Sequence, residues 1–179
     1  MLLTGFFVST AYADNYQKTV ELFKNAGESG TFFGNSYGYA VFPSIGKGGI
    51  GIGGAHGNGG VFVGGKQVGE TSMTQLTIGF QLGGQAYSQI IFFKDKRAFD
   101  EFTTGEFEFG AQATAVAITA GASAGASTTG ASAGASSSKE SATTAGGGYH
   151  KGMAVFTIAK GGLMYEASIG GQKYNYKPL

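Results

Sequence analysis

The sequence predicts a mainly β fold of the α+β type, in which a curved, antiparallel, glycine-rich sheet forms a barrel or sandwich accompanied by two helices. From residue 37 onward, short segments alternate apolar residues with small or polar ones, as half-buried strands do. Glycine accounts for 34 of the 179 residues, against a usual share of about 7%, and glycines inside strands permit sharp curvature. The 15 Phe and 9 Tyr supply core-forming side chains that a disordered chain lacks.

The charge balance and the missing residue types narrow the function. Twelve Lys and Arg against 11 Asp and Glu give a net charge of +1, which argues against a strongly basic nucleic-acid binder. The absence of cysteine excludes disulfides, thiolate nucleophiles, cysteine zinc sites and a lipid-bearing N-terminal Cys. The two histidines, His56 and His150, sit in no metal-ligand spacing. We therefore predict a protein that is not an enzyme and that uses no metal or cofactor.

Residues 1–13 are predicted to be a signal peptide, because the short apolar run at 2–8 is followed by the cleavage pattern Ala-Tyr-Ala at 11–13. The run is too short to span a membrane as a helix. It lacks the Lys or Arg that normally precedes such a run, and an apolar N-terminal strand is the alternative interpretation. Cleavage leaves residues 14–179 as a single domain of a periplasmic or secreted protein, peripheral to the membrane.

The mature chain is predicted to begin with a helix from Asp14 to about Gly27. Tyr16, Val20 and Phe23 fall at i, i+4 and i+7 and form one apolar face, and the glycine ends the helix. The helix carries no broad basic face. Packing on the sheet is therefore favoured over insertion into a membrane surface.

Alternation with a period of two predicts strands on both sides of a second helix. The first strands are 37–42, which Pro43 ends, 49–54, 61–63, 76–82 and the buried 87–93, with a Gly-Gly-Lys hairpin turn at 64–66. A short helix is predicted near 95–102 and a half-buried strand at 107–109. Later strands are 113–120, 153–159 and 163–169, after which a final Lys-Tyr-Asn-Tyr-Lys segment follows at 173–177. The Gly-, Ala- and Ser-rich tract 121–148 is interpreted as a long loop or loosely paired hairpin.

Four glycine motifs match enzymatic patterns, and we interpret them as consequences of composition. The dinucleotide-like pattern at 49–54 lacks the following helix that must meet the pyrophosphate. The run at 60–66 is similar to a phosphate-binding loop, but the next residue is Gln67, where such a loop has its magnesium-binding Ser or Thr. Two Gly-x-Ser-x-Gly patterns, around Ser123 and Ser132, lie inside the low-complexity tract. They leave a serine hydrolase as a minor alternative.

Cationic side chains concentrate beside turns and glycines. Lys next to a glycine turn can grip phosphate groups because backbone N–H groups approach unobstructed, and each such charge near an anionic membrane contributes roughly 1 kcal/mol. Turns are also exposed to solvent, and this exposure alone is enough to explain why any one lysine lies at a turn. The cations concerned are Lys47, Lys66, Lys94, Lys96, Arg97, Lys151 and Lys160.

Ordered blocks of sequence from about residue 37 to 176 resemble the SYLF domain in its bacterial form. The opening block, at 39–54, reads Tyr-Ala-Val-Phe-Pro-Ser-Ile-Gly-Lys and then glycine and isoleucine. It is followed in order by Gln-Leu-Gly-Gly-Gln-Ala-Tyr at 81–87, Ile-Ile-Phe-Phe at 90–93, Lys-Arg-Ala-Phe-Asp-Glu-Phe at 96–102 and Lys-Gly-Gly-Leu-Met-Tyr-Glu-Ala-Ser at 160–168. The resemblance extends over nearly the whole mature chain.

The resemblance implies a non-enzymatic module of the bacterial envelope that binds anionic phospholipid or phosphoinositide headgroups. Eukaryotic relatives also bind actin in some cases, so actin is implied here only by analogy. The resemblance implies no catalytic residue. Within the matching blocks, the positions that carry over as lipid-binding residues are Lys47, Lys94, Lys96, Arg97 and Lys160. The alternative from the residues themselves is a structural periplasmic protein that self-associates into homo-oligomers by pairing strand edges.

Overall fold

The computed structural model describes residues 15–50, 52–78, 85–110, 113–118, 152–160 and 169–179. The helices are α1 at 15–24, a 3-10 helix at Ser29–Gly34 and α2 at Lys96–Phe102. The strands are β1 (Gly38–Ile50), β2 (Ile52–Val63), β3 (Lys66–Ile78), β4 (Gln85–Phe93), β5 (Val116–Ile118), β6 (Met153–Lys160) and β7 (Lys173–Pro178). The predicted signal peptide, the 121–148 tract and nearly all of the predicted strand 163–169 lie outside the described residues.

These strands form one sheet in the order β5-β6-β4-β1-β2-β3-β7. Neighbouring strands are antiparallel, except that β5 runs parallel to β6. The predicted hairpin turn connects β2 to β3, and its two glycines, Gly64 and Gly65, have φ angles of 62° and 79°. Positive φ at both central positions is what the favoured two-residue hairpin turn requires.

Pro43 does not end the first strand, and the prediction of a strand limited to 37–42 is wrong. β1 continues through the proline, and its register shifts there against both β2 and β4. A β-bulge tolerates proline because the bulged position need not supply an N–H to the ladder. The Pro43 carbonyl accepts a hydrogen bond from Ser88 Oγ at 2.8 Å, which ties the bulge to β4.

Alternate residues of the strands pack into two apolar clusters, one on each face of the sheet. On β4, Ile91 and Phe93 belong to one cluster and define what we call the inner face, whereas Ile90 and Phe92 belong to the other cluster, on the outer face. All four side chains are fully buried. β4 is therefore covered on both faces, which confirms the prediction of a buried strand at 87–93.

The sheet curls around the inner face. β4 and β7 are four positions apart in the sheet, which is about 19 Å in a flat sheet, yet Gln89 of β4 donates from Nε2 to Tyr174 Oη of β7 at 2.8 Å. Glycines of β2 make room for this curvature. A Cβ at Gly57 would lie 2.7 Å from Ile45 Cγ1, and a Cβ at Gly59 would lie 2.7 Å from a Phe42 ring carbon.

Residues 107–110 lie at one edge of the sheet, beside β7, and β5 lies at the other edge. Beside β7, Tyr174 N donates to Phe107 O at 2.9 Å and Phe109 N donates to Gln172 O at 3.0 Å. Residues 116–118 form β5, which pairs with β6 at the opposite edge. The predicted strand at 107–109 is reduced to a single bridge between Glu108 and Lys173, because β7 begins only at Lys173 and Phe109 bonds to Gly171 and Gln172, which precede it.

Part of the outer face is covered by α1 and the 3-10 helix. Tyr16, Val20 and Phe23 are buried there in the outer cluster, which confirms the apolar face predicted for the N-terminal helix. The 3-10 helix, which the sequence patterns did not predict, adds Phe32 and Phe33 at ring distances of 5.4 and 4.9 Å from Phe92. The predicted class, a curved antiparallel sheet with an N-terminal helix and a short helix near 95–102, is confirmed.

Candidate functional site

The structure divides the five predicted lipid-binding residues between the two ends of β4. Lys47 pairs through its backbone with Gln85, and Lys160 with Ala86, so both lie beside the start of that strand. The other three follow its last residue. The nine residues of β4 extend over about 27 Å from first to last, so the five residues do not form one site. The group after the strand consists of Lys94, Lys96 and Arg97, which we call the cationic cluster.

The cationic cluster is held by the junction between β4 and α2. Lys94 N donates to Gly152 O at 2.8 Å, which attaches the junction to the start of β6. Asp95 has extended backbone angles and caps α2, with its Oδ1 accepting a hydrogen bond from Ala98 N at 3.0 Å. A side-chain cap of this kind satisfies a backbone donor that the first helical turn leaves unpaired. This cap explains why the short helix predicted near 95–102 begins directly after Asp95.

The buried side of α2 fixes the cluster to the core. Ala98 and Phe102 are buried in the inner cluster, and the Phe102 ring lies 5.0 Å from that of Phe93 and 4.9 Å from that of Tyr174. Aromatic contacts of this kind add to the free energy of burying the rings. Lys96 and Arg97 therefore project from a helix anchored in the core, and Lys94 lies two residues before it, where its N–H is bonded to Gly152.

Charge in the cluster is partly neutralised within the protein. Lys96 Nζ lies 2.9 Å from Asp100 Oδ2, and both side chains are exposed. The hydrogen bond that Lys96 donates to Asp100, followed by the attraction of the Asp100 charge, raises the pKa of Lys96. An exposed pair of this type contributes little to stability. Lys94 and Arg97 are exposed and have no ion-pair partner in the part of the chain that the structure describes.

A second polar feature, which we call the polar platform, covers the outer face of β2, β3 and β7. It consists of two neighbouring rows of residues that are paired across the three strands. One row is Asn58–Ser72–Asn175, and the other is Gly60–Glu70–Lys177. Sequence analysis missed it, although polar residues alternate along all three strands. A cavity of about 280 Å³ lies over it, next to Tyr16 of α1.

Four buried polar side chains form a hydrogen-bonded layer on the inner face. Gln89 and Gln172 bond to each other reciprocally through their amides, at 3.0 and 3.2 Å. Gln172 Nε2 also donates to Tyr87 Oη at 3.2 Å, and Tyr174 Oη donates to Gln172 Oε1. Burial raises the pKa of Tyr87 and of Tyr174 well above the ordinary tyrosine value.

The described residues contain no group of acidic and histidine side chains that could hold a metal ion. His56 is exposed on β2, with Nδ1 3.3 Å from Thr74 Oγ1. Gly54 lies inside a strand, so no helix follows the dinucleotide-like pattern. Ser123, Ser132 and His150 lie outside the described residues. No helix within the described ranges has the length and apolar character needed to cross a membrane.

Two comparisons with known proteins place the chain among its relatives. Residues 74–176 match the family model Ysc84, described as a Las17-binding protein actin regulator. The chain is also 32% identical over 159 residues to Beta cell expansion factor A of Aeromonas veronii. That alignment covers 87% of this chain and 51% of the relative, so the chain spans about half the length of the relative it matches.

Proposed function

The chain belongs to the Ysc84 (SYLF) family, and on this premise we propose that it is a non-enzymatic protein that binds anionic phospholipid headgroups at a membrane surface. The observation that carries the proposal is the cationic cluster. Lys94 and Arg97 are exposed, lack an ion-pair partner among the described residues and lie at the N-terminal end of a helix anchored in the core.

The matched part of the chain supports this cluster over the other predicted lysines. The family match begins at residue 74 and therefore includes Lys94, Lys96 and Arg97 but not Lys47. Lys160 lies within the match but beside the opposite end of β4. We accordingly assign headgroup contact to the cationic cluster and not to Lys47 or Lys160.

The proposed attraction is modest and electrostatic. Three cations near an anionic surface contribute about 3 kcal/mol in total, less whatever Lys96 loses by its pairing with Asp100. Since the net charge of the whole chain is +1, binding depends on the local cluster and weakens as salt screens it. The predicted signal peptide, by the same proposal, directs the protein to the periplasm or outside the cell, where it meets a membrane surface from the aqueous side.

The test is flotation of the mature chain, beginning at Asp14, with phosphatidylglycerol, cardiolipin and phosphatidylcholine vesicles at low and high salt. We expect flotation with the two anionic lipids alone, and its loss at high salt. Flotation with phosphatidylcholine, or binding indifferent to salt, contradicts the headgroup mechanism.

Two charge-matched double variants locate the contact. Lys94→Glu with Arg97→Glu removes the free cations of the cluster, and Lys18→Glu with Lys173→Glu makes the same change in net charge at exposed positions elsewhere. We expect the first pair to abolish flotation and the second to retain most of it. Equal loss in both indicates a response to net charge and overturns the assignment.

Actin and self-association are the competing functions. The family description names an actin regulator, so co-sedimentation with actin filaments is measured alongside flotation. Within the described residues, the sheet edges favour self-association less, because β5 is three residues long and 107–109 covers part of β7. Filament binding or a concentration-dependent mass, without flotation, replaces the lipid proposal by the corresponding function.

A further inference from the structure

We propose that the polar platform is a second binding site, which takes a neutral polyhydroxyl ligand, namely a sugar residue. The proposal does not depend on membrane binding, because the platform lies on the outer face of β2, β3 and β7, away from the cationic cluster. It rests on a cavity of about 280 Å³ and on the hydrogen-bonding groups that line it. This volume is just below the roughly 300–1,000 Å³ of typical small-molecule pockets, so it suits one ring rather than an extended ligand.

One amide of the platform is held in a fixed orientation. Asn175 Oδ1 accepts hydrogen bonds from Ser72 Oγ at 2.8 Å and from Ser72 N at 3.1 Å. Because its oxygen is committed on that side, the Nδ2 group of Asn175 is turned away from Ser72 and keeps both of its N–H donors for a ligand. Asn58, across β3 from Asn175, is exposed, and its side-chain amide has no hydrogen-bond partner within the described structure.

The second row supplies one charge of each sign. Glu70 and Lys177 are cross-strand partners, yet they form no ion pair, so the carboxylate keeps its acceptors and the ammonium its donors. The two charges cancel, which disfavours a ligand with net charge. Donors and acceptors therefore line the same cavity, a combination matched by hydroxyl groups, which both donate and accept.

Gly60 leaves the outer face of β2 without a side chain beside the cavity. A Cβ on Gly60 would lie 2.7 Å from the Tyr16 ring, so the helix α1 closes one side of the cavity at this glycine. The remaining side is open to solvent. An open site with a few well-oriented polar groups binds weakly, and we expect dissociation constants of about 1–10 mM for single sugars.

The test is an NMR titration of the full mature chain, labelled with nitrogen-15, with glucose, galactose, mannose and N-acetylglucosamine. The side-chain amide signals of Asn58 and Asn175 report directly on the cavity. We expect saturable shifts of these signals with at least one sugar, at an affinity that salt does not change. No saturable shift with any of the four sugars, or an affinity that falls with salt, overturns the proposal.

Matched amide-to-acid variants make the test specific. Asn175→Asp keeps an oxygen for Ser72 but removes both N–H donors, so we expect affinity to fall at least about tenfold, equivalent to ~1.4 kcal/mol. Asn25→Asp, at an exposed position after α1, makes the same chemical change elsewhere and is expected to bind normally. Titration of Asn175→Asp like the unmodified chain contradicts the assignment of this amide.

A final arm separates two sources of the same ligand chemistry. Titration with a linear oligomer of the sugar that binds best shows whether the site takes a free sugar or part of a glycan. Tighter binding of the oligomer identifies a glycan chain, and equal affinity identifies a free or terminal sugar. Both results support the proposed site, whereas failure of the vesicle experiments affects the membrane proposal alone.

Discussion

The outer face of the sheet has two halves that follow the same strand geometry and present opposite chemistry. Over β6, β4 and β1 it presents Phe156, Phe92 and Val41, which α1 and the 3-10 helix cover. Over β2, β3 and β7 it presents Asn58, Ser72 and Asn175, which nothing in the described chain covers. Alternation along a strand therefore determines which residues face outward. Whether that face is covered or exposed depends on which residue types stand at the outward positions.

The boundary between the halves is a contact between a glycine and a tyrosine. Tyr16 of α1 lies against Gly60 and packs edge to face on Phe62 at 5.9 Å. The helix can approach the sheet here because β2 has no side chain at position 60. We infer that this contact fixes how far the cover extends and where the polar platform begins.

Removing an aromatic ring from the covered half gives the largest expected effect. Phe92 is fully buried and contacts the rings of Phe32, Phe33, Tyr39 and Phe156 at 4.9–6.1 Å. We expect Phe92→Ala to lower the free energy of unfolding by about 3–5 kcal/mol, measured by denaturant titration. A loss comparable to that of a surface change contradicts the description of this half as a packed core.

Alkaline pH tests the inner layer that lies beneath both halves. Burial raises the pKa of Tyr87 and Tyr174 above the value of about 10 in the unfolded chain. The unfolded chain therefore loses protons first as the pH rises. The contribution of these two tyrosines to the free energy of unfolding is fully present below about pH 9. Above pH 10 it falls by about 1.4 kcal/mol per pH unit for each tyrosine. Unfolding followed at several pH values measures this, and a stability that stays flat above pH 10 contradicts it.

A methyl group at the boundary is expected to have an intermediate effect. In Gly60→Ala the new Cβ meets the Tyr16 ring, so we expect a loss of about 1–3 kcal/mol through overpacking. Gly46→Ala is the control, because a Cβ there has no atom within 4 Å, and it is expected to be neutral or slightly stabilising. Equal stability of the two variants, measured in the same denaturant titration, contradicts the boundary contact.

The smallest effect on stability is expected in the uncovered half of the outer face, over β2, β3 and β7. Leu76 of β3 is 71% exposed, so Leu76→Ser removes almost no buried surface. We expect a change within about 0.5 kcal/mol. A loss as large as that of Phe92→Ala shows that this half is covered in solution, and the comparison between the halves then fails.

Local patterns were sufficient to predict much of the fold. The i, i+4, i+7 spacing of Tyr16, Val20 and Phe23 predicted the buried side of α1, and the apolar segment at 87–93 predicted the strand covered on both faces. Each of these signals lies within a few residues of sequence. Pro43 was wrongly predicted to end the first strand. The effect of a proline in a strand depends on whether the partner strands accept a bulge, which the sequence of one strand does not reveal.

The candidate sites required knowledge of the sheet order. Lys47 and Lys94 carry the same turn-lysine signal, yet β4 separates them, and only the pairing register shows this. The polar platform joins Asn58 to Asn175, which are far apart in the chain and meet through β3. A pattern in one strand predicts which residues face outward, but not which neighbours they have.

The most direct test of the membrane proposal uses the absence of native cysteine. Thr104→Cys, just after α2, and Thr74→Cys, beside the polar platform, place an environment-sensitive dye at two exposed threonine positions. With phosphatidylglycerol vesicles at low salt, we predict that the dye at position 104 enters a less polar environment and that the dye at 74 does not change. A response at 74 alone, or equal responses at both, contradicts binding through the cationic cluster.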